Sequence, residues 1–169
     1  DKSIELFAKL LSSLENFHFI NNAICKKANN EIERFYAEKC IEIVKSTKFD
    51  EKLVSSIVSG VLDRREKFDS FFDNFSEISY DQGEQSFKMI YYMFDRFNNY
   101  KMNGGERINI YNTDIRLSKK NYNIDHVNPK KADLYDYAND EDREYINSIG
   151  NLLVIPLHSN SKAQNLPIS

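Results

Sequence analysis

Asp125 and His126 are adjacent in the run Tyr122-Asn123-Ile124-Asp125-His126-Val127-Asn128-Pro129, and two later segments carry amide side chains. The first is Gly150-Asn151-Leu152-Leu153-Val154-Ile155, the second Asn160-Ser161-Lys162-Ala163-Gln164-Asn165. A carboxylate, an imidazole and neutral amide oxygens are the groups needed to hold one hard cation and activate one water. Phosphodiester hydrolysis by a single metal ion calls for that set: a general base for the water, and a Lewis acid beside the scissile phosphate. His126 is the candidate base, because imidazole ordinarily titrates near ~6.5, and general-base catalysis is worth ~10² to 10⁴ in rate. Asp125 offers an anionic oxygen and Asn160 a neutral carbonyl oxygen. With no thiolate in the set, one Mg²⁺ or Mn²⁺ is expected rather than zinc.

The elements that position these groups are short. Tyr122 to Val127 and Leu152 to Ile155 read as strands, the second closed by Pro156, and Asn160 to Asn165 has the composition of a helix start with Ser159 or Asn160 near the cap. Neighbours in a strand point to opposite faces, so Asp125 and His126 diverge, one toward the metal-bearing helix and the other toward the water. Asn151, at the start of the second strand, is placed to hydrogen-bond the loop after His126 and fix its orientation. His158 lies two residues before Asn160 and is an alternative ligand, although the Asn-Ser-Lys context favours Asn160. His18 sits at the end of a Phe-rich helix and is expected to be structural.

Ahead of this region the apolar residues recur at helical spacing. Ile4, Phe7, Leu10, Leu11, Leu14 and Phe17 predict a helix over 3–17, and Ile32, Phe35, Tyr36, Ile41 and Val44 a second over 29–46. Leu53, Ile57, Val58, Val61 and Leu62 predict a third, capped by Asp50. Phe68, Phe71, Phe72 and Phe75 form a short aromatic stripe, and Phe87, Ile90, Tyr91, Phe94 and Phe97 a longer one. Both stripes are expected to pack into a core. Composition shifts at Asn98-Asn99, and Gly104-Gly105 marks a turn before a further β-like piece at 108–111. Residues 133 to 144 carry six acids against one Arg and read as an exposed loop or short helix.

The chain has 169 residues, 41% of them apolar, with 12 Phe, 10 Tyr and no Trp, enough for one ordinary domain with a sizeable core. No apolar run reaches the ~18 to 20 residues of a membrane span. Cys25 and Cys40 form no spaced framework; buried free thiols and a cytoplasmic setting are expected. The absence of a starting Met, and a helix already under way at Ser3, point to a fragment of a longer protein. A net charge of −3 argues against gripping nucleic acid by bulk electrostatics. Locally the balance reverses: from Asn99 to Lys131 there are seven Lys or Arg against three acids. Lys119, Lys120, Lys130 and Lys131 flank Asp125-His126 and are candidate phosphate contacts, as is Lys162.

Taken together, Asp125-His126-Val127-x-Pro129, Gly150-Asn151-Leu152 and Asn160-Ser161-Lys162-x-x-Asn165 resemble the HNH (ββα-metal) nucleases, most closely the C-terminal nuclease domain of GmrSD-type modification-dependent restriction enzymes. Asn128 and Lys130, which flank Pro129, depart from the family's usual residues. The resemblance implies an α+β fold, with a helical bundle over 1–100 followed by a ββα-metal motif over 101–169. It implies a metal-dependent DNA endonuclease in which His126 is the general base, Asp125 and Asn160 bind one Mg²⁺ or Mn²⁺, and Asn151 orients the active-site loop. Asn165 is implied as a supporting or phosphate-side residue. The implied partners are double-stranded DNA, modified or foreign, and a separate N-terminal sensing and nucleotide-hydrolysing domain. A homodimer is implied if two sites act together. The rivals are a non-catalytic DNA- or protein-binding module and an RNA-cleaving nuclease with the same site.

Overall fold

The computed structural model describes residues 2–102, 122–128 and 145–157, and the chain divides into two compact units, Asp1–Ser76 and Glu77–Ser169. The first unit runs α1 (Lys2–His18), a π-helical turn (Phe19–Ile24), α2 (Asn30–Lys45), α3 (Glu51–Leu62) and α4 (Phe68–Ser76). The local cause is clearest at α3. Asp50 has extended backbone angles and its Oδ1 accepts a hydrogen bond from Leu53 N at 3.0 Å, satisfying an amide that the helix itself cannot. Leu53, Val54, Ile57 and Val61 then fall on one face and pack against Leu6, Leu10 and Phe17 of α1 and Ile32 and Phe35 of α2.

Polar side chains stitch the bends. Asn21, buried in the π-helical turn, donates from Nδ2 to Arg64 O at 2.9 Å and accepts at Oδ1 from Glu66 N at 3.0 Å. His18 Nδ1 lies 2.6 Å from Asn22 Oδ1 and its Nε2 is 2.9 Å from the Tyr36 hydroxyl, so both ring nitrogens serve packing, the structural setting expected of it. Gly60 is required by a close approach: a Cβ there would lie 2.6 Å from Cε2 and Cζ of Phe35. That ring is buried, and the Arg64 guanidinium covers it at 4.3 Å from the centroid.

Several apolar positions depart from the sequence reading. In α1 the buried stripe is Leu6, Leu10 and Phe17, while Ile4 and Phe7 are exposed. In α2, Ile41 and Val44 face solvent. No residue of α4 is fully buried; Phe68 and Phe72 are 74% and 58% exposed and stack on each other with centroids 6.2 Å apart. Spacing of i, i+4 guarantees that two rings share a face but not that another element covers it. Phe97 is likewise exposed, and so is Cys40, contrary to the expectation of two buried thiols; Cys25 is buried.

The second unit opens with a loop at 77–83, α5 (Glu84–Met102), β1 (Tyr122–His126), a 3₁₀ turn (Ile149–Asn151) and β2 (Leu152–Pro156). Gly83 takes φ +97°, a conformation that favours glycine, and its carbonyl accepts from Phe87 N at 3.1 Å to start α5. Thus α5, which contains the composition shift at Asn98-Asn99, belongs with the strands. The two strands pair antiparallel from Tyr122↔Pro156 to His126↔Leu152, so Pro156 ends β2 inside the pairing. The architecture is α+β, mostly helical with a small sheet. The β-like piece at 108–111, the acidic stretch 133–144 and the helix start at Asn160 to Asn165 lie outside the described residues. Among the described residues no helix is long and apolar enough to cross a membrane.

Two core substitutions test this packing. Ile57→Ala removes a side chain that is 3% exposed and is expected to cost ~2 to 5 kcal/mol. Gly60→Ala gains up to ~1 kcal/mol of helix propensity, yet it collides with a buried ring, and overpacking costs ~1 to 3 kcal/mol. Urea titration followed by circular dichroism should show a lower midpoint for both; a raised midpoint for Gly60→Ala would contradict the close approach to Phe35.

Candidate active site

The β1–β2 register sets Asp125 opposite Leu153 and His126 opposite Leu152. Strand alternation puts Ile124 and His126 on one face and Asn123 and Asp125 on the other. The carboxylate and the imidazole therefore diverge, although Asp125 Oδ1 accepts from the His126 backbone N–H at 2.8 Å. Both residues are half-buried, between the buried Ile124 and the exposed Asn128.

Just past His126 the chain leaves the strand, and a single side chain holds it there. Asn151 Oδ1 accepts from Asn128 N at 2.9 Å, while its Nδ2 donates to Asn128 O at 3.1 Å and to Ile146 O at 2.8 Å. The backbone adds Val127 N to Asn151 O at 2.8 Å. Only a carboxamide combines an acceptor with two donors at one tip, so Asn suits this place and Asp or Leu does not. The loop behind His126 is thereby tied to the turn that leads into β2.

His126 has partners that the sequence reading missed. Its Nε2 lies 3.1 Å from Asn147 Oδ1, Asn147 Nδ2 donates to Asp81 Oδ2 at 2.8 Å, and Asp81 Oδ1 accepts from the Ser79 hydroxyl at 2.5 Å. Tyr80 presents its ring at 85° to the imidazole with centroids 5.3 Å apart. Burial pushes the Tyr80 phenol above its usual pKa and the negative charge of Asp125 pushes it further, so the hydroxyl stays protonated near neutral pH. Backbone pairing delivers these groups: Ser79 bridges Ser148, and Tyr80 N donates to Asn147 O at 2.9 Å. In the linear sequence 77–83 reads only as a turn ahead of α5, and nothing there marks Tyr80 or Asp81 as neighbours of His126.

Asp125, His126 and Asn151 are thus brought together. Asn160, His158, Lys119, Lys120, Lys130, Lys131, Lys162 and Asn165 lie outside the described residues. Among the described residues no group of three or more His, Cys, Asp or Glu is placed to hold a metal ion. Asp125 offers a hard anionic oxygen of the kind Mg²⁺ or Mn²⁺ takes, and the neutral oxygen expected beside it, that of Asn160, lies outside the described residues.

The family model of GmrSD restriction endonucleases, C-terminal domain, matches residues 65–168, more than half of the chain. The chain belongs to this family. The GmrSD match takes in α4, α5 and both strands, and it spans Tyr80, Asp81 and Asn147 together with the Asp125-His126 pair, Asn151 and Asn160. It leaves α1 to α3 outside. No curated protein and no solved structure is matched.

The Asn151 clamp makes a prediction about the GmrSD-type region. Asn151→Ala removes three side-chain hydrogen bonds, each worth about 1 kcal/mol net, and should speed amide exchange at Val127 and Asn128. Asn151→Asp should be no better, because a carboxylate faces the Asn128 and Ile146 carbonyls without a proton to give. Hydrogen-exchange NMR reads both; wild-type protection in Asn151→Asp would show that the carbonyl contacts do not matter.

Proposed function

We propose that this chain is a divalent-metal-dependent DNA endonuclease, making single-strand cuts within a restriction or phage-defence system, and that its site is of the ββα-metal (HNH) type. The observation that carries the reading is the setting of His126. It ends a strand inside the region matched by the GmrSD family, beside a carboxylate, with one ring nitrogen bonded to Asn147 and the loop behind it clamped by Asn151. A histidine that only filled space would not need that amount of orientation.

In the proposed reaction a ring nitrogen of His126 accepts a proton from water, whose oxygen bonds to phosphorus as the bond to the 3′ oxygen breaks. Asp125 and Asn160 would hold one Mg²⁺ or Mn²⁺. A bound ion of that kind supplies Lewis-acid stabilisation of charge on the phosphoryl and leaving oxygens. The protonated Tyr80 adds no negative charge next to a phosphate, and its ring limits rotation of the imidazole. Lys119, Lys120, Lys130, Lys131, Lys162 and Asn165 are assigned to phosphate contact, where a local basic surplus offsets the acidic remainder of the chain. We assign double-stranded DNA, modified or foreign, as the substrate. Recognition of the modification is assigned to a separate nucleotide-hydrolysing domain, and double-strand breaks to two sites acting together.

Supercoiled plasmid, with and without base modification, is incubated with the protein in Mg²⁺ or Mn²⁺. Nicking should disappear with a chelator and fall ~10² to 10⁴-fold in His126→Ala, with a comparable loss in Asn160→Ala. Equal nicking by wild type and His126→Ala sinks the mechanism. Faster degradation of RNA than of plasmid under the same conditions moves the substrate assignment to RNA.

A further inference from the structure

We infer that Asp81 and Asn147 act as positioning residues which place the imidazole proton of His126 on Nε2 and leave Nδ1 as the basic nitrogen. The inference rests on the endonuclease reading above and assigns the atom through which that site works.

The chain of donors and acceptors has one consistent direction. An ionised carboxylate only accepts hydrogen bonds, so the atom of Asn147 that faces Asp81 Oδ2 at 2.8 Å must be the amide nitrogen. The other end of the same amide, Oδ1, then faces His126 Nε2 at 3.1 Å, and an oxygen there can only accept. Nε2 must therefore carry the proton, and in the neutral ring Nδ1 holds the lone pair. An isolated Asn next to a His leaves this open, because the amide can turn over. Asp81 removes that freedom.

The carboxylate that sets the direction is itself fixed. Asp81 Oδ1 accepts from the Ser79 hydroxyl at 2.5 Å, and Gln82 braces the loop through Nε2 to Glu77 O at 2.8 Å. The backbone supplies an independent restraint, since Tyr80 N donates to Asn147 O at 2.9 Å next to the Ser79↔Ser148 bridge. On the other side of the ring no hydrogen bond to Nδ1 occurs among the described residues. The nitrogen with a fixed partner is the one that cannot serve a water; the other one can.

Long-range ¹H–¹⁵N NMR of the metal-free protein, near pH 8.5 and so about two units above the ordinary imidazole value, reads the ring proton directly. His126→Ala assigns its signals against His18 and His158. Wild type should show a protected Nε2–H. Asn147→Leu should lose that protection and lower kcat for plasmid nicking about 10- to 100-fold with KM little changed, the usual scale for an outer partner of a reactive group. Asp81→Ala should shift both readouts the same way by less, and it covers the case in which Asn147→Leu does not fold. Asn147→Asp alone sets two carboxylates against each other and should fail. Combined with Asp81→Asn it reverses the bond between 81 and 147, the amide at 81 now donating, while the group at 147 still accepts from Nε2, so the pair should restore the Nε2–H and most of the turnover. A wild-type proton on Nδ1, or full turnover and full Nε2–H protection in Asn147→Leu, overturns the inference. Undiminished nicking in His126→Ala overturns instead the endonuclease reading, and the substrate-free NMR result keeps the two failures apart.

Discussion

An isolated two-stranded antiparallel ribbon is marginal in water, because it pairs few backbone groups for the entropy it costs and has only one face to bury. The β1–β2 pair is five residues long and carries Asp125 and His126 at its end, where fraying is worst. Everything at the site depends on holding that end closed. Asn151 does so from one side by spanning the exit of β1 and the approach to β2. The Tyr80–Asn147 backbone bond ties the same turn to the loop before α5. A site built this way is as ordered as its amides are satisfied, and Asn147 and Asn151 are the side chains that do this beside His126.

That choice of side chain has a chemical consequence. Carboxamides add direction without charge, so an imidazole and a carboxylate can be placed within one residue of each other and still be oriented independently. Asn147 faces the ring and Asn151 faces the backbone, and neither adds a charge beside the imidazole. The one carboxylate in the chain of contacts, Asp81, stands at the far end, where it fixes the sense of the bonds without touching the ring. Tyr80 completes the enclosure with an aromatic edge and a phenol that burial and Asp125 keep protonated.

The helical unit follows ordinary packing rules, and its exceptions are instructive. Helix existence was legible from spacing, and the Asp50 cap from residue type, because both are local properties of the chain. Which side of a helix is covered is not local. Ile4, Phe7, Ile41 and Val44 share the periodicity of their buried neighbours yet face solvent, and Phe68 and Phe72 stack on each other outside any core. Cys40 follows the same logic: helical patterning places it, and only the packing of α2 decides that it is exposed.

At the site the division is equally physical. The sequence alone determined the candidate groups: an acid beside a histidine at the end of a short apolar run, and an asparagine ahead of a second run, because adjacency and strand alternation are fixed by covalent geometry. It also carried the family resemblance that the match over 65–168 bears out. What only the tertiary structure decided is which groups complete the environment of His126. Tyr80 and Asp81 come from a turn before α5 and Asn147 from the far side of an acidic stretch. They meet through backbone pairing between segments distant in the chain, an interaction that leaves no periodicity and no motif behind it. The strand pattern names the histidine; the long-range pairing gives its ring a direction.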